Sequence, residues 1–171
     1  MAKSAGLEYA VFNTRLGWMA VAASDKGLVA LTLPQPTAEG ALASLSEAVP
    51  AGRKNEARFQ PLALKLRDYM SGKPVAFQEK LDLTCATPFQ RRVWQKTRQI
   101  PCGRSRSYGW IAEQLGQPGA CRAVGQALGR NPLPVVIPCH RVLAADGTLG
   151  GFSGGLSVKR RLLELEGIAV I

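Results

Sequence analysis

Asn131-Pro132-Leu133-Pro134-Val135-Val136-Ile137-Pro138-Cys139-His140-Arg141-Val142 sets a cysteine beside the only histidine of the chain. Pro132, Pro134 and Pro138 fix φ and remove backbone donors, which disfavours a regular helix or a central strand. The expectation is a stiff, irregular segment that holds one thiol in place. A thiol is nucleophilic as the thiolate, and a neighbouring imidazole or cation lowers its pKa. A cysteine beside a base is therefore a recognisable nucleophile arrangement. The plainer reading is a small buried apolar residue, as free cysteines often are. Geometry bears on the choice. Adjacent residues do not face each other on a helix and alternate faces on a strand. The pair cooperates only if the local backbone is unusual or a water intervenes.

Upstream of this stretch, Ser107 can cap a short helix from Tyr108 to Leu115, stopped at Gly116. Gln117-Pro118-Gly119 turns the chain, and Ala120 to Leu128 forms a second short helix stopped at Gly129. Two short helices about a glycine-bearing turn read as a helix-turn-helix. Glycine weakens a helix by about 1 kcal/mol relative to alanine. Gly125 therefore points to close approach by another helix or by a DNA backbone. Further upstream, Thr87-Pro88-Phe89-Gln90 is a helix start, with Thr87 as cap, Pro88 at the first position and Gln90 completing a capping box. Phe89, Val93 and Thr97 share a face, and Ile100-Pro101-Cys102-Gly103 ends the helix with Cys102 as a structural residue.

Downstream, Ala145-Asp146-Gly147-Thr148 reads as a hairpin turn and Gly150-Gly151-Phe152-Ser153-Gly154-Gly155 as a flexible loop. A last helix runs from Leu156 to Glu166, with Gly167 as its C-terminal cap. Lys159, Arg160 and Arg161 on it either meet phosphates or form a solvated face.

Residues 7–33 read as a meander of three antiparallel strands, with turns at Asn13–Gly17 and Ser24–Gly27. Helices are expected over Thr37–Val49 and Phe59–Met70, with a polar loop over 50–55 between them. Phe77–Ala86 is the linker. The fold class is thus α/β (α+β), with an N-terminal α/β domain over residues 1–80 and a C-terminal, mostly helical domain over residues 81–171.

The chain has 171 residues, 46% of them hydrophobic, enough for packed cores. No apolar run approaches the roughly 20 residues that cross a membrane. Met1–Gly6 lacks a long apolar stretch, so no secretory signal and a cytoplasmic location are expected. Cys85, Cys102, Cys121 and Cys139 lack metal-type spacing, and one histidine argues against a zinc site. Free thiols are expected in a reducing compartment. The net charge of +10 is uneven. Residues 88–171 carry 12 Lys+Arg against 4 Asp+Glu, a balance of +8, whereas residues 1–87 carry 10 against 8. A basic face of this kind attracts phosphates; charge for general solubility is the other reading.

Asn-Pro-x-Pro-x-x-Ile-Pro-Cys-His-Arg-Val resembles the active-site signature of the O6-alkylguanine-DNA alkyltransferases, the methylated-DNA–protein-cysteine methyltransferases. Thr87-Pro88-Phe89-Gln90-x-x-Val93-Trp94, Ile100-Pro101-Cys102-Gly103, Arg122-Ala123-Val124-Gly125, Gly150–Gly155 and Leu165-Glu166-Gly167 are similar to the same family. The resemblance implies a small N-terminal domain of ribonuclease-H-like topology and a C-terminal winged helix-turn-helix-like domain. It implies transfer of an alkyl group from O6 of guanine, and from O4 of thymine, to Cys139 after the nucleotide is flipped out of the duplex. His140, relaying through water to Glu166, would remove the thiol proton. Asn131 would brace the segment. Tyr108 would crowd the 3′ phosphate and protonate guanine N3.

Arg122 would fill the gap left by the extruded base, and Ala123, Gly125 and Arg130 would lie on DNA. Phe152, Ser153, Pro134 and Val142 would meet the substrate, with Ser153 donating to O6. The family usually carries tyrosine where this chain has Phe152. The thioether product cannot hydrolyse, so one molecule would act once, as a monomer on double-stranded DNA, with no cofactor and no metal. Two other classes compete. An alkyltransferase-like damage-binding protein replaces the cysteine, which is present here. A Cys-His-Glu hydrolase would leave the helix-turn-helix and the basic half unexplained.

Overall fold

Two seven-residue strands, β1 (Glu8–Thr14) and β2 (Gly17–Ala23), form the first antiparallel hairpin of the computed structural model, which describes residues 6–46 and 52–171. β3 (Leu28–Leu31) adds to β2, completing the expected meander. The polar stretch Arg53–Lys54 is a short fourth strand, β4, parallel to β1, so the sheet order is β3-β2-β1-β4. A loop is expected there, and two exposed basic residues carry no strand periodicity that would say otherwise.

Alternation along β1 serves two faces. Tyr9 and Val11 pack on the cluster formed by Ala20, Ala22, Ala30, Ala41 and Leu45, the last two from α1 (Ala38–Ser46). α2 (Glu56–Met70) buries Phe59, Leu62, Ala63, Leu66, Tyr69 and Met70. It begins three residues earlier than its apolar stripe, because the Asn55 side chain accepts from Arg58 N–H at 3.2 Å. Pro61 lies inside it at a cost of about 3 kcal/mol, which burial of several large side chains at roughly 1.5–3 kcal/mol each offsets. The leader reading at residues 1–5, the end of the first helix at residues 47–49 and the loop residues Pro50 and Ala51 lie outside the described residues.

The chain divides into two compact units, Met1–Leu83 and Thr84–Ile171. In the second unit, α3 (Pro88–Arg98) carries the expected capping box: Gln90 N–H donates to Thr87 Oγ1 at 3.1 Å and Thr87 N–H to Gln90 Oε1 at 3.0 Å. α3 buries Val93, Trp94 and Thr97, and the Trp94 indole N–H donates to the Ala127 carbonyl at 2.9 Å, which ties it to α5 (Cys121–Gly129). α4 (Tyr108–Gln114) is capped by Ser107 through Trp110 N–H at 3.0 Å. β5 (Arg106–Ser107) pairs in parallel with β6 (Val142–Leu143), a two-residue ladder too short to read in advance. α6 (Leu156–Leu165) closes the unit, with Glu166 at its C-cap. No helix among the described residues is long and apolar enough to cross a membrane.

Candidate active site

The proline-rich stretch is irregular, as its composition demands. Val135 takes φ +75°, the only positive φ at a non-glycine residue among those described. For a β-branched side chain this is a strained conformation. Asn131 holds it closed: its Nδ2 donates to the Ile137 carbonyl at 2.8 Å, and its Oδ1 accepts from Leu133 N–H at 2.9 Å. The chain then enters a single 3-10 turn, Cys139–Arg141. Cys139, His140 and Arg141 are all buried there.

His140 and Glu166 meet directly, Nε2 to Oε1 at 2.7 Å, both side chains essentially inaccessible (0% and 1%). This corrects the expected water relay between them. A hydrogen-bonded contact of that length has no room for one. Arg141 approaches the same carboxylate from the side, Nε to Oε2 at 2.8 Å and Nη2 to Oε1 at 2.8 Å, and its Nη1 donates to the Ile100 carbonyl at 2.7 Å. Gly103 N–H adds a bond to Oε2 at 3.2 Å, so the turn after α3 belongs to the site.

Burial alone would raise the Glu166 carboxyl, but the bonds from His140 and Arg141 outweigh it and hold it well below the usual carboxylate range. Burial pushes the His140 imidazolium pKa down, against the pull of Glu166. The ring is therefore neutral. A carboxylate only accepts, so Nε2 carries the ring proton and Nδ1 is the basic nitrogen. Burial also raises the Cys139 thiol, opposed by the Asn131 side chain, by Lys159 and by the Cys139 and His140 backbone N–H groups.

Lys159 corrects the reading of a basic surface run. It is fully buried, and its Nζ donates to the carbonyls of Val142 (2.7 Å), Leu149 (2.5 Å) and Gly151 (3.1 Å). Arg160 and Arg161 are exposed. A signal for this was available. Lys159, Leu162 and Leu163 share one stripe of α6 at spacings of three and four, and all three are buried.

A pocket of about 560 Å³ opens beside Cys139. Tyr108, Arg122, Gly125, Phe152 and Ser153 line it, as does Cys121, which the sequence reading passed over. Tyr108 OH donates to the Gly151 carbonyl at 3.3 Å, and burial raises its phenol. The close neighbour of Gly125 is the Tyr108 ring, 3.9 Å from where a Cβ would stand. Gly150, at φ +67°, is tighter: a Cβ there would come within 3.0 Å of the same ring. Asn131, His140 and Glu166 do not line the pocket. Ala123 and Arg130 are exposed and do not line the pocket. Nor do Pro134 and Val142; Val142 is fully buried in β6, with its carbonyl on Lys159. Among the described residues the four cysteines form no disulfide, and no cluster of three or more His, Cys, Asp or Glu could hold a metal ion.

Fold and site together define a protein with an N-terminal sheet domain and a mostly helical C-terminal domain built around one buried cysteine. Comparison with known proteins gives this class a family. The model for the 6-O-methylguanine DNA methyltransferase DNA-binding domain matches residues 88–168, and that for the ribonuclease-like domain matches residues 7–83. A methylated-DNA–protein-cysteine methyltransferase of Mycolicibacterium paratuberculosis is 41% identical over 160 residues, covering 94% of this chain and 92% of the relative. One of Salmonella typhimurium is 49% identical over 110 residues, 64% of each chain.

The crystal structure of Mycobacterium tuberculosis OGT in complex with DNA superposes with a TM-score of 0.77 at 37% identity, covering 94% of this chain and 93% of that one. The O6-methylguanine-DNA methyltransferase of Pyrococcus kodakaraensis gives 0.71 at 28% identity, covering 95% and 99%. The chain belongs to the 6-O-methylguanine DNA methyltransferase family.

Proposed function

We propose that this protein repairs alkylated DNA by direct reversal, moving the alkyl group from O6 of guanine, or O4 of thymine, to Cys139. The observation that carries the reading is a buried thiol on the wall of an open pocket, backed by a neutral histidine that an ionised carboxylate orients. His140 Nδ1 takes the thiol proton through a bridging water, and Glu166 stabilises the imidazolium that results. The thiolate sulfur attacks the alkyl carbon. The S–C bond forms as the C–O6 bond breaks, and the electron pair passes to the guanine, which Tyr108 protonates at N3. The phenol is protonated at neutral pH, as its ordinary pKa of about 10 requires, and so carries a proton to give. The thioether has no activated carbonyl, so each molecule acts once.

The target atom is out of reach inside a duplex, so the nucleotide is flipped into the pocket. The pair α4–α5 acts as a helix-turn-helix. Arg122, exposed near the start of α5 and on the pocket rim, takes the place of the extruded base, and Tyr108 crowds the 3′ phosphate. Ala123, Gly125 and Arg130 lie along the DNA. Phe152 stacks on the flipped base and Ser153 donates to O6. Asn131 keeps the thiol in register by bracing the strained Val135 turn. The protein works as a cytoplasmic monomer on double-stranded DNA, without a cofactor. The test is the amplitude of repair. Mixed with excess duplex containing O6-methylguanine, the protein restores guanine in an amount equal to its own and then stops. Continued turnover would refute the reading.

A further inference from the structure

Lys159 is a buried cation that the proposed chemistry does not use. An ammonium has three donors and no acceptor, and all three donors of Lys159 are taken by the carbonyls of Val142, Leu149 and Gly151. A neutral amine offers only two N–H groups, so this cradle demands the charged form. A buried charge is costly without a counter-ion. No carboxylate bridges Lys159 among the described residues; Glu166, the buried acid of the site, is taken by His140 and Arg141. Two groups near it can become anions: the Tyr108 phenol, whose ring lies 5.8 Å from the ammonium and whose pKa burial raises, and Cys139, whose thiolate raises the Lys159 ammonium just as the ammonium lowers the thiol.

We propose that Lys159 is a positioning residue for the transfer: a positive charge fixed by three carbonyls, whose counter-ion is the thiolate of Cys139. The inference rests on the reading of Cys139 as the nucleophile. The S–H bond breaks and its proton goes to His140, while Lys159 keeps all three of its own. A neutral thiol and imidazole thus become a thiolate and an imidazolium beside an ammonium already in place.

Burial brings the Lys159 ammonium down to about 8, and the thiolate opposes that shift. The carbonyl cradle opposes it too, because bonds to the charged form favour it. The other titrating groups facing the pair move away from this range: burial lowers His140 and raises Tyr108, while the bonds from His140 and Arg141 hold Glu166 well below the usual carboxylate range. The same ammonium shares the Gly151 carbonyl with Tyr108 OH, so the test must separate charge from packing.

The experiment follows the pH dependence of Cys139 alkylation by iodoacetamide in the full-length protein, read on the Cys139 peptide by mass. In Lys159→Gln the midpoint rises by about one pH unit or more, and in Lys159→Arg, which keeps the charge, it stays near the wild-type value. An unchanged midpoint in folded Lys159→Gln, or an equal rise in both variants, would overturn the proposal. If neither variant folds, the reciprocal measurement decides, because coupling acts equally in both directions. In lysine-labelled protein, Cys139→Ser lowers the Lys159 midpoint seen by NMR; no change overturns the proposal. Iodoacetamide needs no DNA, so failure of the repair reading and failure of this one are seen separately.

Discussion

Glu166 accepts hydrogen bonds from three partners, His140, Arg141 and Gly103, while almost completely buried. Glu166→Gln replaces one accepting oxygen with a donor that faces other donors, and it leaves Arg141 as an unpaired buried cation. Breaking such a pair from one side costs about 3–5 kcal/mol, so the variant unfolds at markedly lower urea and its transfer rate falls with loss of the oriented imidazole. The pH dependence has a definite sign. The folded carboxyl lies below its unfolded value of about 4.3, so its stabilisation is complete above that pH and drains away as the pH falls below it. Urea midpoints from pH 7 to pH 3 should fall more steeply in the wild type than in Glu166→Gln; parallel curves would contradict the assignment.

The Cys-His pair was readable from its residue types, whereas Leu165-Glu166-Gly167 was read only through its resemblance to the family, since a lone glutamate at a helix end looks like any surface acid. Arg141 was given no role, and Lys159 was read as a surface cation. A lone cation in a sequence looks the same whether it meets solvent or a carbonyl cradle, and only the stripe shared with Leu162 and Leu163 marks Lys159.

At the scale of elements, the Asn131–Pro138 segment stores strain to hold the thiol. Val135 and Val136 are both buried, but only Val135 has a positive φ. Glycine takes that conformation freely, so Val135→Gly recovers about 1–3 kcal/mol of strain against the packing it loses. Chemical denaturation should show Val135→Gly to be less destabilising than Val136→Gly by that margin. Equal losses would mean that the turn is not strained. The capping box of α3 and the cap of α4 were legible because caps have a residue code. The two-residue strands β4, β5 and β6 were not, since pairing that short is imposed by tertiary packing rather than by periodicity. The start of α2 was misread for a related reason. Its first turn, Glu56-Ala57-Arg58, lies ahead of the apolar stripe, and its start is set by the Asn55 cap.

For the whole molecule, two of the twelve cations of residues 88–171, Arg141 and Lys159, are internal. On the proposed function, phosphate contacts come from exposed side chains, of which Arg122, Arg130, Arg160 and Arg161 are four. Duplex binding should weaken with salt, and Arg130→Ala should flatten the plot of log affinity against log salt by about one unit, without altering alkylation of Cys139 by iodoacetamide. An unchanged slope would take Arg130 off the DNA. The uneven charge was legible as a sum, but which cations serve the surface depended on the fold.

The most direct test of the account is the mass of the protein and of its Cys139 peptide after mixing with a duplex containing one O6-methylguanine. The account predicts one added methyl group on Cys139, an equal amount of guanine restored, and neither in Cys139→Ala. Tight lesion binding without a methyl group on Cys139 would contradict it.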